Sequence, residues 1–485
     1  MQKIEAPVLR FNPEKGLVHP LGVKPGGNIW LSSDVGEAIK KRKESLGMFS
    51  GVSEELFIDI LSFCDSEDLL STSAVSNHCR AFAFHPDLWR DLFWSTTGNK
   101  RNGILGNSWR DSVLGHDAAC TTGLVQVKNV FSDLLFAPYR ASGLEPTAVW
   151  IGRENIDRVS WKDLTESRFV EEYEKRNRPV IISDFIDSEW KSAKSNWASL
   201  SAFASRLGNP ADVVLDCGSY SMSLSDFQNY LNSEMSKLDE SPIFVFDTKK
   251  FSTNSVWQSD YTPIPLFGKD LFDLLDPPHR PDNKWILIGG PGASSKWHVD
   301  PNSTNAWNAV ISGEKKWILV PPHSGPPPGV QVSSDGFAVR QPLTLTDWLD
   351  SGFYADLSRM RATNGMVEAT CRAGEIMFVP RGWWHCVRNT DNAVTIAVTH
   401  NYAAESSLSH VRRFLKEKAH CVSGVPHHLR TTLWSAFDQA LQNHRPDLLS
   451  TDPDLNSVER NTNEQNEEGS SFWDRFAFKT LSFHR

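Results

Sequence analysis

His298 and Asp300 are separated by one residue inside the stretch Trp285–Pro321, WILIGGPGASSKWHVDPNSTNAWNAVISGEKKWILVP. Side chains on a β-strand alternate faces, so residues two apart point the same way. An imidazole and a carboxylate placed like this can grip one metal ion together. They supply two of the three ligands of a two-His-one-carboxylate facial triad, which leaves positions open for chemistry. The tripeptide alone is weak: with 15 His in 485 residues, about one His-x-Asp arises by accident. His85-Pro86-Asp87 has the same spacing in a helical setting just before Trp89. The third ligand has to come from a strand that returns beside the first. GEIMFVPRGWWHCVRNT, Gly374 to Thr390, meets that need. Ile376 and Phe378 mark a buried strand, Pro380-Arg381-Gly382 a turn, and Trp383-Trp384-His385 the start of the next strand. Taken singly, His385 reads as a core histidine beside two indoles; together with His298 and Asp300 it is the candidate third ligand.

The two blocks HVDPNSTNAWNAVISGEKKWILVPP and GEIMFVPRGWWHCVRNTDNAVTIAVTHNY, in this order, resemble the Jumonji-C oxygenases. Within them they are most similar to the branch of lysyl hydroxylases and arginine demethylases. The resemblance runs from roughly Val159 to Tyr402, half of the chain. It implies a double-stranded β-helix of the cupin or jelly-roll type that holds Fe(II) and 2-oxoglutarate and uses O₂. The iron ligands would be His298, Asp300 and His385. The co-substrate lysine would be Lys315, on a strand face shared with Trp317 and Leu319. A buried ammonium needs a partner charge, and the distal carboxylate of 2-oxoglutarate would provide it. The neighbouring Lys316 reads as a solvated strand-edge lysine. Asn308, Ser295 and Thr399 would help hold the co-substrate, Thr399 on a face with Thr395 and Ala397. A tyrosine that closes the pocket in this branch is replaced here by Phe244, in SPIFVFD, which removes a hydroxyl near the co-substrate.

The resemblance therefore implies a dioxygenase acting on lysine or arginine side chains of proteins, histones among them. Hydroxylation of a side-chain carbon leaves a stable product; hydroxylation beside a methylated nitrogen releases formaldehyde and demethylates. Both outcomes share one ligand set, and the branch resemblance favours hydroxylation. The alternative is a ubiquitin-ligase substrate receptor whose β-helix is a catalytically silent binding fold.

The rest of the chain must position this centre. Its 485 residues suit more than one domain. Eighteen Trp and 11% aromatics suit a β-rich core, and a net charge of -9 argues against nucleic acid as the main direct partner. Seven scattered Cys without a C-x-x-C read as reduced thiols, hence a nuclear or cytoplasmic protein. No apolar run approaches membrane-spanning length.

Residues 1–47 read as loosely ordered, with a basic cluster Lys40-Lys41-Arg42-Lys43. Residues 48–95 read as a small helical domain. Ser53 caps an amphipathic helix through Leu56, Phe57, Ile60 and Leu61; a second opens at Ser66-Glu67-Asp68, and a third spans Val75 to Phe84. With Leu88-Trp89, this segment resembles an F-box, which implies binding of an SCF adaptor subunit through residues 49–94. Residues 96–156 read as a connecting region that includes His116-Asp117. Residues 157–405 read as the oxygenase domain, entered by a helix, a break at Asn177 to Pro179 and a buried strand at Val180 to Ile182. Residues 406–450 read as helices that pack either on the body or on a second copy. The pair His427-His428 is adjacent on a helix and shares no face. Residues 451–485 read as a disordered acidic tail with an aromatic end.

Overall fold

The computed structural model describes residues 7–12, 18–31, 35–97, 106, 108–115, 125–218, 220–390 and 392–450. His116-Asp117 and the tail 451–485 lie outside the described residues. Strands β1 (Asp157–Ser160), β2 (Val180–Ser183), β3 (Val214–Cys217), β4 (Tyr220–Ser223) and β5 (Phe244–Asp247) precede the first site block. That block contains β6 (Lys284–Gly289), β7 (Ser294–His298), β8 (Asn305–Ser312) and β9 (Glu314–Val320). The second contains β10 (Val367–Arg372), β11 (Ile376–Val379), β12 (Trp384–Asn389) and β13 (Thr395–Tyr402).

They form a seven-stranded sheet, β1-β2-β11-β8-β13-β6-β5, and a four-stranded sheet, β10-β9-β12-β7; β3 and β4 form a separate hairpin. Inward residues of both sheets meet in one core, with Val310, Met377 and Ala397 facing Trp317, Leu319 and Val387. This is the expected double-stranded β-helix. Along β13 the alternation is plain: Ala397 joins this inner core, while Ile396 and Val398 join the layer of helices behind the large sheet. Trp190, Trp197 and Leu200 are buried in that helical layer.

The chain crosses from the large sheet to the small one at Gly313, between β8 and β9, with φ at 78°. A Cβ there would stand 2.4 Å from Thr395 Oγ1 and 2.8 Å from Thr395 Cα. Glycine alone combines that conformation with that approach. The turn at Pro380-Arg381-Gly382 forms as expected, with Gly382 at φ 75°.

The N-terminal helices are α1 (Val35–Leu46), α2 (Glu54–Leu61), α3 (Ser66–Ser73), α4 (Asn77–Ala83) and α5 (Pro86–Thr97). Part of the stretch expected to be loosely ordered is thus α1, where Lys40 and Lys41 stand opposite Glu44 and Glu37 one turn away. Ser53, Asp65 and Ser76 cap α2, α3 and α4 by accepting from backbone N–H groups three residues on. A fourth helix, α5, joins the expected three, opened by Pro86 at the position where a missing N–H costs nothing. Phe57 and Leu61 of α2 are buried, whereas Leu56 and Ile60 remain 49% and 38% exposed.

The region read as a connector contains helices Trp109–Leu114 and Asp133–Ser142. Trp109 is buried and stacks on Tyr230 of α6 (Leu224–Asn232), with centroids 5.8 Å apart. At the C-terminal side, α7 (Leu408–Glu417) and α8 (Leu433–His444) bury Val411, Leu415, Leu433 and Phe437 against Leu271 and Phe272 of the same chain. No helix among the described residues is long and apolar enough to cross a membrane.

Lys316 corrects the sequence reading. It is 1% exposed, and its Nζ donates to the carbonyls of Ile151, at 3.3 Å, and Arg153. Trp150 lies 5.7 Å beneath it. On the outer face of β9 the segment before β1 covers Lys316, while Ile318 and Val320 pack in a cluster with Trp150, Trp297 and Trp348.

Gly313→Ala should lower stability by about 1–3 kcal/mol through overpacking and a disfavoured φ. Guanidinium unfolding of the two proteins checks this, and an unchanged midpoint would count against the crossing geometry.

Candidate active site

β7 and β12 are neighbours in the small sheet, and their register sets His298 opposite His385. The two imidazole centroids are 4.1 Å apart, and Asp300 completes a cluster whose ligand atoms all lie within 4.8 Å of one another. Strand β7 ends at His298, so Asp300 lies two residues beyond it rather than on it. Pro301 cannot donate to a ladder, yet Asp300 keeps an extended backbone, φ -58° and ψ 144°, and the alternation still aims it at the histidines. Asn302 follows at φ 55°. Its amide bonds the backbone of Ser423 in both directions, at 3.0 and 3.1 Å, and so fixes a conformation that a non-glycine residue rarely adopts.

Each histidine is set by its own chain. Nδ1 of His298 lies 2.6 Å from the carbonyl of Lys296, and Nδ1 of His385 lies 3.1 Å from that of Trp383. A carbonyl only accepts, so Nδ1 carries the proton in both rings and Nε2 is left unprotonated, the tautomer of a metal ligand. Burial holds both imidazoles neutral: His298 is pushed down to about 3, with His385 beside it adding to the effect, and His385 to about 4. Burial also pushes Asp300 up to about 6, against the opposing pull of His298 and a hydrogen bond from Asn401. Oδ2 of Asp300 is buried without a hydrogen-bond partner. Two neutral imidazoles and a carboxylate with an unsatisfied oxygen fit a divalent cation such as Fe(II).

The cluster opens into a cavity of about 600 Å³ that also receives Lys315, Asn308, Ser295 and Thr399. The structure thus brings every site residue read from the sequence to one cavity. Lys315 is 5% exposed and pushed down to about 8 by burial. It forms no ion pair among the described residues, and Cys371 stands opposite it in the β9–β10 register. Asn308 stands opposite Thr399 in the β8–β13 register, with its Oδ1 buried and unpartnered. The Thr399 hydroxyl donates to the carbonyl of Trp307 at 2.9 Å. A buried ammonium and an unsatisfied amide beside the metal cluster fit an anionic co-substrate such as 2-oxoglutarate. Phe244 lines the same cavity. His85, Asp87 and the His427-His428 pair do not line it.

Three contributors escaped the sequence reading. Asn401 orients Asp300, and continuing the Thr395, Ala397, Thr399 alternation by one step finds it. Asn389 lines the cavity while its Nδ2 donates to the carbonyls of Gly289 and Gly290, at 3.1 and 3.3 Å. Tyr220 reaches the cavity from the β3–β4 hairpin, which no local motif connects to the site.

Residues 166–408 match the cupin-like domain family, and residues 54–95 match the F-box-like family. The chain is 33% identical over 470 residues to the Arabidopsis thaliana "Arginine-specific demethylase JMJ22", covering 95% of this chain and 88% of that protein. It is 31% identical over 276 residues to the Caenorhabditis elegans "Bifunctional arginine demethylase and lysyl-hydroxylase psr-1", covering 53% of this chain and 63% of that one. It is 24% identical over 292 residues to the zebrafish "2-oxoglutarate and iron-dependent oxygenase JMJD4", covering 56% of this chain and 66% of that one.

The state of Lys315 gives a pH test. Its ammonium is charged below about pH 8 and neutral above it, so an anion held there should loosen as pH rises. Calorimetry of 2-oxoglutarate binding, with Mn(II) in place of Fe(II), should show Kd climbing up to tenfold per pH unit above about 8. Lys315→Met should weaken binding at least tenfold at neutral pH and abolish this dependence. A flat profile in the native protein would remove Lys315 from the anion site.

Proposed function

The chain belongs to the cupin-like JmjC oxygenases, and on that premise we propose that it oxidises arginine or lysine side chains of proteins, hydroxylating or demethylating them. The observation that carries this reading is one cavity lined by the His298, Asp300, His385 cluster and by the unpaired, buried Lys315. His298 and His385 would hold iron through Nε2 and Asp300 through its carboxylate. Lys315, with Asn308, Ser295 and Thr399 near it, would hold the 2-oxoglutarate carboxylate. When bound, iron and 2-oxoglutarate supply the oxidation of an unactivated C–H bond by O₂. The chain's part is orientation and exclusion of water. Trp317 packs against His385 with centroids 5.8 Å apart and lines the cavity with apolar surface. Phe244 offers only a ring where a hydroxyl could have reached the co-substrate, which leaves Lys315 with more of the anchoring.

The F-box-like segment adds a second reading to the same chain. Leu56, Ile60 and Leu70 stand exposed on helices whose other faces are buried, a surface suited to an SCF adaptor. A catalytically silent receptor would have no use for the ligand cluster and the lysine in one cavity, so the segment is read as recruiting or regulating an active oxygenase. A nuclear or cytoplasmic location is consistent with the unpaired state of the described cysteines.

With Fe(II), ascorbate and 2-oxoglutarate, the native chain should form succinate and His298→Ala should fall to background. Equal turnover by the two, with arginine- and lysine-containing peptides present, would remove the enzyme reading. Co-purification with an SCF adaptor should be lost in the Leu56→Ala/Ile60→Ala variant. Failure of the native chain to capture the adaptor would remove the F-box reading and leave the oxygenase reading standing. Added-oxygen or lost-methyl masses on Arg or Lys, compared between cells with and without the gene, would identify the product.

A further inference from the structure

The β3–β4 hairpin is a short ribbon that reaches the cavity with Asp216, Tyr220 and Ser221. Its inner support lies within the oxygenase domain, where the backbone N–H of Asp216 donates to Asp247 Oδ2 at 3.0 Å. Its outer support comes from α5 of the F-box-like segment. The Tyr220 hydroxyl donates to Asp91 Oδ1 at 2.6 Å, and the Tyr220 ring stacks on Trp94 with centroids 5.3 Å apart and planes 29° apart. Further along, Arg90 of α5 faces Asp239 at 3.7 Å, and Asp239 accepts from the Tyr230 hydroxyl at 3.0 Å. One tyrosine therefore belongs both to the cavity wall and to the junction with the F-box-like helix. An isolated two-stranded ribbon is marginally stable in water, so where this one sits depends on what it leans against.

We propose that Tyr220 is a substrate-positioning residue of the oxygenase cavity whose place is set by α5 of the F-box-like segment. This rests on reading the cavity as the site for a protein side chain. With one ring face covered by Trp94, the rest of Tyr220 borders the cavity next to Asp216, whose carboxylate accepts from Ser221 Oγ at 3.0 Å and pairs with Lys249 at 3.3 Å. Phe246 and Trp285, stacked within 8° of parallel, line the same cavity. Lys249 already counters Asp216, so it is the aromatic faces that suit a cationic side chain. Tyr220 acts on the entering side chain and not on the metal cluster, so loosening it changes how substrate is held.

The test uses the full chain and Asp91, which lies on α5 outside the cavity. Asp91→Ala removes the acceptor of the Tyr220 hydroxyl, and Asp91→Asn keeps one. The probes are a peptide with one dimethylated arginine and the same peptide with lysine in its place. In Asp91→Ala, hydrogen exchange of the 214–223 amides should rise about tenfold, the change expected on losing a charge-assisted hydrogen bond. KM for the accepted peptide should rise several-fold, with kcat and peptide-independent succinate formation unchanged. Asp91→Asn should restore most of both. Unchanged exchange overturns the proposal, as does raised exchange with unchanged KM, or a fall in kcat as large as the rise in KM. If the native chain forms succinate but accepts neither peptide, the arginine and lysine reading fails separately, and exchange at the hairpin decides for Tyr220.

Discussion

A half-buried carboxylate and a buried ammonium share one cavity, and the rest of the chain leaves both incompletely satisfied. Asp300 keeps one oxygen without a hydrogen-bond partner, and Lys315 forms no ion pair among the described residues. Burial pushes both toward their neutral forms, Asp300 up to about 6 and Lys315 down to about 8. Leaving charged groups in this state costs free energy that the fold must offset elsewhere. A divalent cation beside Asp300 and an anion beside Lys315 would reverse both shifts. Binding and stability are then linked, because a ligand that prefers the folded chain stabilises it. The two imidazoles take no part in this cost, since burial and their Nδ1 hydrogen bonds already favour the neutral ligand form.

The spacing between the two charged ends is set by the sheet rather than by any single contact. His385 lies opposite Leu319 on β9, and Lys315 lies four residues back along the same strand. Four residues of strand span roughly 13 Å. A lysine stem covers part of that distance, and Lys315 would hold the far carboxylate of a dicarboxylate bound beside the cluster. The glycine crossing at Gly313 fixes where β9 begins and therefore where Lys315 falls in the register. Asn308 and Thr399 come from the opposing large sheet. The co-substrate space is thus bounded by two sheets whose separation is fixed by a shared apolar core.

The parts of this arrangement that repeat with the period of a strand were legible in the residues themselves. His298 with Asp300, Lys315 with Trp317 and Leu319, and Thr395 with Ala397 and Thr399 each reduce to alternation. Two departures have physical causes. Asp300 is past the end of β7 because Pro301 stops the ladder, and the extended backbone preserves the direction alternation would have given. Lys316 is buried because a segment far earlier in the chain covers it on the outer face of β9, and no local pattern reports such a cover. Tyr220 was invisible for the same reason, since it reaches the site by packing and not by spacing. The helix carrying Trp109 lay in a stretch with weak periodicity; what identifies it as core is its contact with Tyr230 and Phe93.

That contact also decides how the two halves of the protein relate. Phe57, Leu61, Phe82 and Trp89 of the N-terminal helices belong to the same continuous core as Ile286, Phe378 and Val398 of the large sheet. Each large apolar side chain buried this way contributes about 1.5–3 kcal/mol. Lifting α5 from the body would therefore cost several such increments, more than a surface encounter readily offsets. The exposed residues Leu56 and Ile60 lie on α2, away from that seam. A partner can grip α2 without undocking α5, and what it changes must travel through helices that stay packed. In this architecture the F-box-like segment is not a tether beside an independent enzyme, because its last helix is one of the supports against which the cavity mouth is built.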